Sequence, residues 1–260
     1  MARVEEFLAA VAARAAELPD VRAALLIGSQ ARTETPADEW SDVDVVLYVD
    51  EPARFVSDPS WVEAFGEPVL TLLEQTAVGG QLERRVLYAD GLEVDFACFP
   101  TAGLPQLLAD PEAASVVARG YRVLHDEIGL ADALERMRYV PPPRRDPDEI
   151  AADFWYHALW TAKKHLRGEH VTARGCLEGS LKSLLLELAR ESATGDTWHR
   201  DRFVERWSDA RVVDAMWTSA ATPDDVPAVL RRLCDTFEAL AAELGLEHPT
   251  VRARLEALLP

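Results

Sequence analysis

Short apolar runs dominate the first half of the chain and predict a β-sheet. The runs at 21–27 and 42–49 have the length and β-branched content of strands that are mostly buried. The segment 84–99 alternates around Asp90-Gly91, a pair that is typical of a type I′ hairpin turn. Apolar residues at helical spacing over 3–18 add a flanking helix. The first half therefore predicts a mixed sheet with helices beside it.

Helical spacing takes over in the second half. The triplet 141–143 consists of three prolines, and Asp146-Pro147 after it has the form of a helix cap followed by a first-turn proline. From there the apolar residues predict five helices, at about 148–167, 171–192, 200–218, 224–245 and 250–258. We therefore predict the α+β class and two domains, a sheet-containing domain at 1–140 and a helical bundle at 144–260.

Two strands of the first half carry residues suited to phosphoryl chemistry. The first leads into Gly28-Ser29, and the second opens with Asp42 and Asp44 at alternate positions, whose side chains point to the same side of a strand. Two such like charges repel each other unless a cation lies between them. Asp95 adds a third carboxylate from the hairpin. Three carboxylates beside a turn that can hold phosphate oxygens are typical of a two-metal site, with Mg²⁺ as the natural ion.

The net charge and the composition limit the kinds of molecule that the protein is expected to bind. The net charge is −18, and residues 1–140 hold 25 acidic against 11 basic side chains. Nucleic-acid binding needs clustered Lys and Arg, so we expect no nucleic-acid partner. An acidic surface attracts a cationic small substrate, although it also serves solubility alone. No apolar run is long enough to span a bilayer, and three cysteines in apolar segments fit buried thiols, so we expect a cytoplasmic protein without membrane association.

The carboxylate motif resembles a known superfamily. Gly28-Ser29, Asp42-x-Asp44 and Asp95 are similar to the core of the polymerase-β-type nucleotidyltransferases. Further segments resemble the aminoglycoside 6-adenylyltransferases, which modify streptomycin: 55–67, 90–95, Asp153-Phe154-Trp155, Ala162-Lys163 and Arg167-x-Glu169. The resemblance implies a polymerase-β-like first domain, ATP as co-substrate, Mg²⁺ as cofactor, transfer of AMP to an antibiotic hydroxyl, and pyrophosphate as product.

The resemblance also implies roles for single residues. Asp42, Asp44 and Asp95 would be the catalytic metal ligands, with Asp95 or another acid as the base. Gly28 and Ser29 would lie at the triphosphate, and Lys163 would reach it from the helical domain. Similar enzymes have arginine directly after Gly-Ser, whereas Gln30-Ala31-Arg32 stands here, so Arg32 either replaces that phosphate contact or does not.

One helix of the second half carries the candidates for acceptor binding. Asp153, His157 and Trp160 lie near one face at i, i+4 and i+7 spacing. Asp153 would contact an acceptor amine or serve as an alternative base, unless it is an ordinary helix acid. Trp155 and Trp160 would wall a substrate cleft, unless they pack in the core, and His157 is a core or supporting residue in the alternative reading.

The leading hypothesis is an ATP- and Mg²⁺-dependent adenylyltransferase acting on an aminoglycoside, with streptomycin as the first acceptor to test. A lincosamide or another small hydroxylated compound is one alternative acceptor, and a protein partner is another. An ATP sensor without turnover belongs to a different class, but binding alone does not require three carboxylates. Nothing in the sequence demands an oligomer, and we expect a monomer.

Overall fold

The computed structural model describes residues 2–32, 34–76, 78–193, 197, 201–246 and 248–259. The chain divides into two compact units, residues 1–142 and 143–260. The division falls between the predicted domain ends at 140 and 144, within the proline triplet.

A six-stranded mixed sheet forms the centre of the first unit. Its strands in chain order are β1 (Val21–Ile27), β2 (Val43–Val49), β3 (Pro68–Gln75), β4 (Leu82–Tyr88), β5 (Glu93–Pro100) and β6 (Arg122–Asp126). Their order across the sheet is β3-β4-β5-β2-β1-β6. The pair β2–β5 is parallel, and the other neighbours are antiparallel. The central strand β2 is apolar almost throughout because both faces of the sheet are covered there.

Helices cover the two faces of this sheet. The helices of the first unit are α1 (Ala2–Glu17), α2 (Pro52–Ser57), α3 (Leu104–Leu108), α4 (Pro111–Val117) and α5 (Leu130–Arg136). Side chains of α1, α2 and the 3₁₀ turns of Pro59–Phe65 pack on one face. Side chains of α3, α4 and α5 pack on the other. The helices of this second face come after the predicted hairpin in the chain, since α3 and α4 follow β5 and α5 follows β6.

Two features of the first unit differ from the sequence prediction. The hairpin turn is not type I′, because Gly91 has a positive φ of 86° but Asp90 does not. The carbonyl of Tyr88 accepts a hydrogen bond from the N–H of Gly91, at 2.9 Å, so the loop has three residues, with a type I turn followed by a left-handed glycine. The edge strand β6 was not predicted either, because its residues are half-exposed and do not alternate clearly.

The described residues of the second unit form helices joined by loops, without a strand. Its helices are α6 (Pro147–Leu166), α7 (His170–Cys176), α8 (Lys182–Ser192), α9 (Val204–Trp207), α10 (Ala210–Trp217), α11 (Val226–Glu243) and α12 (Pro249–Leu258). A π-helical turn, Leu177–Leu181, joins α7 to α8. The predicted helix at 200–218 is two helices, α9 and α10, and its first residue lies outside the described residues. Asp146 caps α6 by accepting the N–H of Asp148 at 3.0 Å.

The predicted α+β class is confirmed, with a mixed sheet in one unit and a helical bundle in the other. The bundle core is centred on α6 and α11, where the rings of Phe154 and Phe237 stack with centroids 3.7 Å apart. The three cysteines, Cys98, Cys176 and Cys234, are free and buried, as expected. Within the described part of the chain, every helix falls short of the length and apolarity that crossing a bilayer requires.

Candidate active site

Three carboxylates meet on one face of the sheet, where β2 and β5 begin. Asp44 and Asp95 are direct neighbours in the parallel register of these strands. Asp42 lies two residues before Asp44, just ahead of β2. One carboxylate oxygen from each of the three lies within 4.8 Å of the other two. We call these residues the carboxylate cluster; among the described residues it is the one group of three or more potential metal ligands that come this close.

Gly28 makes room for the carboxylate cluster. It follows β1 directly and has a φ of +70°, which favours glycine. A Cβ built on Gly28 would lie 1.8 Å from Oδ2 of Asp44. No side chain can be accommodated at that distance without moving the carboxylate. The position of Asp44 therefore requires a glycine here. The sequence alone explains Gly28 only by its closeness to a triphosphate.

Ser29 connects the turn after β1 to the start of β2. Its side chain is buried, and its hydroxyl donates a long hydrogen bond of 3.4 Å to the carbonyl of Asp42. The Gly-Ser turn thus helps to position the backbone that carries the first carboxylate. Whether Ser29 also contacts phosphate, as the sequence predicts, stays a prediction.

Electrostatics set Asp95 apart within the cluster. Burial raises the pKa of Asp95 to about 6, the guanidinium of Arg85 works against this shift, and Glu83 and Asp42 add to it. The Nε of Arg85 lies 3.4 Å from Oδ2 of Asp95. A carboxyl that is this reluctant to ionise lies where a further positive charge would be stabilising.

Sequence analysis missed the neighbours of Asp95 on β3 and β4. Arg85 lies opposite Asp95 in the β4–β5 register, and Glu83 lies opposite Ala97 two residues further on. Arg85 also binds Glu83 at 2.9 Å and Glu74 of β3 at 3.0 Å. A single guanidinium is therefore shared among three carboxylates beside the cluster.

The carboxylate cluster fits a divalent hard cation. Carboxylate oxygens are preferred ligands of Mg²⁺, and oxygens on one ion are at most about 4.2 Å apart, twice the metal–oxygen distance. The observed limit of 4.8 Å is close to this value, so small side-chain rotations would bring the three carboxylates onto an ion. A cation bound beside Asp95 would lower the pKa that burial and the neighbouring acids raise, because a positive charge favours the ionised carboxylate.

The other predicted nucleotide-binding residues have different surroundings. Arg32 donates from Nε to the carbonyl of Thr35 at 2.9 Å, which holds the guanidinium against its own loop. Lys163 is exposed on α6, in the second unit. The neighbouring Lys164 binds Glu169 at 2.6 Å and lies over the ring of Trp160, 5.1 Å from its centroid.

The predicted acceptor-binding residues all lie on α6. Asp153 accepts from Nη2 of Arg145 at 2.8 Å, and Nδ1 of His157 lies 2.8 Å from its other oxygen. Its charge is therefore already partnered within the second unit. Trp155 is 2% exposed and packs edge-on against Phe154 in the bundle core, so its ring is not available to a substrate. Of the two tryptophans, Trp160 is the partly exposed one.

Comparison with known proteins identifies relatives over most of the chain. The family model described as streptomycin adenylyltransferase matches residues 1–249. An aminoglycoside 6-adenylyltransferase of Campylobacter jejuni is 21% identical over 174 residues, which are 65% of this chain and 59% of that protein. One of Bacillus subtilis (strain 168) is 21% identical over 179 residues, 65% of this chain and 61% of that protein. The chain thus spans about three-fifths of the length of these curated relatives.

Two solved structures are also similar. The crystal structure of an aminoglycoside 6-adenyltransferase from Bacillus subtilis aligns with a TM-score of 0.39 and 16% identity, covering 97% of each chain. A nucleotidyltransferase-like protein from Exiguobacterium sibiricum aligns with a TM-score of 0.34 and 14% identity, covering 87% of this chain and 72% of the other.

Proposed function

Because the chain belongs to the streptomycin adenylyltransferase family, we propose that it transfers AMP from ATP to a hydroxyl of an aminoglycoside and releases pyrophosphate. Streptomycin is the acceptor that we expect. The observation that carries the proposal is the carboxylate cluster, in which three acids lie close enough to share divalent ions.

Asp42, Asp44 and Asp95 are the residues that would hold Mg²⁺. Bound there, the ions would neutralise part of the triphosphate charge and polarise the α-phosphate. The backbone geometry around the cluster supports this role. Asp44 and Asp95 are adjacent in the sheet register. The hydroxyl of Ser29 bonds to the backbone carbonyl of Asp42, and Gly28 leaves room for the carboxylate of Asp44.

The remaining chemistry is a displacement at phosphorus. The acceptor oxygen forms a bond to the α-phosphorus of ATP, and the bond from that phosphorus to the pyrophosphate oxygen breaks. The proton of the acceptor hydroxyl must leave at the same time. A carboxylate of the cluster would accept it, and Asp95 is the candidate base as well as a ligand.

Other residues would bind and orient the two substrates. Ser29, Arg32 and Lys163 are proposed for the phosphates, and Asp153, His157 and Trp160 for the acceptor. Because Trp155 is buried in the bundle core, we leave it out of this set. The acidic first half of the chain, with 25 acids against 11 bases in residues 1–140, would attract a cationic aminoglycoside.

The test is pyrophosphate release from ATP and Mg²⁺ across a panel of acceptors that includes streptomycin, other aminoglycosides and a lincosamide. We expect release with streptomycin, and loss by at least about a hundredfold in Asp44→Asn, since losing one preorganised polar group costs roughly 10²–10³ in rate. Glu63→Gln removes an exposed carboxylate of the same unit and should leave turnover unchanged.

The other outcomes are equally informative. Release only with a lincosamide would change the acceptor class, and labelling of a protein by ATP would indicate a protein substrate. ATP binding without release for any acceptor would overturn the enzyme assignment in favour of a sensor. Near-normal turnover in Asp44→Asn would exclude the proposed metal ligands.

A further inference from the structure

A cavity of about 190 Å³ lies in the first unit, between the sheet and the helices α3 to α5. Its floor is formed by Leu25, Val46, Tyr48 and Phe99, which follow the carboxylate cluster along the same face of β1, β2 and β5. The wall also includes Asp44, so the cavity extends to the cluster itself.

The wall of the cavity is mostly apolar and favours a flat ring system. The polar residues of the wall are Asp44, Tyr48, Thr76 and Glu83, and the rest are aliphatic or aromatic. A polyhydroxylated acceptor would bury many hydroxyls here, and each one left without a partner would cost several kcal/mol, so such an acceptor is disfavoured. Of the two substrates in the proposed reaction, the donor alone has an apolar-faced ring system, its purine base.

The size of the cavity agrees with such an occupant. An apolar cavity of about 150 Å³ in another protein admits benzene. The cavity here is larger, about 190 Å³, and a purine is one fused ring larger than benzene.

The loop between β3 and β4 holds one wall in place. The hydroxyl of Thr76 donates to the carbonyl of Val78 at 2.7 Å and accepts from the N–H of Gln81 at 3.0 Å. Gly79 packs so closely on the ring of Phe99 that a Cβ would lie 2.6 Å from it. The ring of Phe99 in turn packs against Tyr48, with centroids 6.1 Å apart. The cavity is therefore preformed rather than opened by its occupant.

We propose that this cavity takes the purine base of the nucleotide donor while the phosphates lie at the carboxylate cluster. The inference rests on the proposed function, because the cluster must be the phosphate end of the site. It goes beyond that function by assigning the base to the space under α3 to α5.

The experiment compares ATP with inorganic triphosphate, which has the phosphates but no base. Calorimetry in the presence of Mg²⁺ measures both affinities for Val117→Phe, whose larger side chain fills the cavity from α4. We expect the affinity for ATP to fall about tenfold or more, since an overfilled site excludes its occupant, while the affinity for triphosphate stays within about twofold of wild type. Retained triphosphate binding also shows that the variant is folded.

Val69→Phe is the matched control, because Val69 is exposed on β3 and lies outside the cavity wall. It should leave both affinities unchanged. In Val117→Phe protein that is folded by circular dichroism, an equal change for ATP and triphosphate, or no change in either, would overturn the inference. If wild-type protein binds neither compound with Mg²⁺, the proposed function itself fails, and that result is distinct from the other two.

A second variant covers the case in which Val117→Phe does not fold. Val117→Ala enlarges the cavity, and we expect it to improve binding of ATP analogues with a bulky group on the base by about fivefold relative to ATP. Unchanged relative binding of such analogues would count against the base lying in the cavity.

Discussion

Asp95 and Asp126 are two half-buried carboxylates of the first unit with opposite surroundings. Burial alone would raise the pKa of Asp126, but backbone N–H groups hold it below its ordinary value. These donors belong to Ala131, Leu130 and Ile128, at 2.9, 2.9 and 3.0 Å. Asp95 has other acids beside it instead, and burial raises its pKa to about 6.

These different surroundings distinguish a structural carboxylate, Asp126, from a carboxylate that is suited to bind a cation, Asp95. The oxygens of Asp126 are satisfied by the loop that leads into α5, so this charge needs nothing from outside the chain. The charge of Asp95 is opposed by burial and by Glu83, Asp42 and Glu74, and the guanidinium of Arg85 offsets this in part. Such an arrangement is stable only because the rest of the fold imposes it, and a bound cation would relieve it.

The largest effect should come from breaking the carboxylate cluster through its glycine. Gly28→Ala places a Cβ 1.8 Å from Oδ2 of Asp44 and adds the strain of a left-handed alanine. We expect turnover to fall by at least about a hundredfold, because a displaced ligand misplaces the reacting groups. Steady-state kinetics and Mg²⁺ titration measure the loss of activity and of metal affinity.

Gly91→Ala is the matched control for that substitution. Gly91 has a similar φ of +86°, but a Cβ there meets nothing within 4 Å. Both variants should lose the same roughly 1–2 kcal/mol of stability from backbone strain. Only Gly28→Ala should lose Mg²⁺ binding, and equal loss in both would mean that the contact with Asp44 does not matter.

An intermediate effect is expected at the structural carboxylate. Asp126→Asn removes a charge and turns an NH₂ group toward backbone donors, which should lower the free energy of unfolding at pH 7 by about 2 kcal/mol. The folded pKa is below the unfolded value, so this stabilisation is present above pH ~4 and is lost as pH falls through the folded pKa. Urea unfolding of both proteins at several pH values measures it. A constant difference down to pH 2 would contradict the assignment.

The sequence alone predicts only part of the contrast between the surroundings of Asp95 and Asp126. Apolar spacing is enough to predict the central strands and the main helices, and strand alternation places Asp42 and Asp44 on one side. The hairpin turn is where the prediction is wrong. A two-residue loop at Asp90-Gly91 would pair Asp95 with Val86, whereas the observed three-residue loop pairs it with Arg85.

Other features of the site were not predicted because they depend on contacts between residues far apart in the sequence. The need for Gly28 arises from a carboxylate on another strand, which no local pattern reveals. The neighbours of Asp95 depend on a register that shifts by one residue with the turn type. By contrast, the burial of Trp155 follows from the helical face that it shares with Ala151, Ala158 and Ala162, and this face could have been read from the sequence.

An effect of the opposite sign, and no larger than that of Asp126→Asn, is expected when the charge of Asp95 is removed. Asp95→Asn keeps the shape but not the charge, and with Mg²⁺ removed by a chelator it should raise the free energy of unfolding at pH 7–8 by about 2 kcal/mol. The sign follows from the folded pKa of about 6, which lies above the unfolded value. The folded wild-type protein therefore holds a proton that the unfolded chain releases, and it loses stability as pH rises from about 4 to 6.

The asparagine variant should lack this pH dependence, so the two unfolding curves should converge near pH 4 and separate above pH 6. Adding Mg²⁺ at pH 7.5 should then stabilise the wild-type protein and leave Asp95→Asn nearly unchanged, because the variant has lost both the repulsion and the ligand. Glu63→Gln, which removes an exposed carboxylate, should follow the wild-type curve throughout. A wild-type protein that is already more stable than Asp95→Asn without metal would show that Asp95, like Asp126, is satisfied by its own fold.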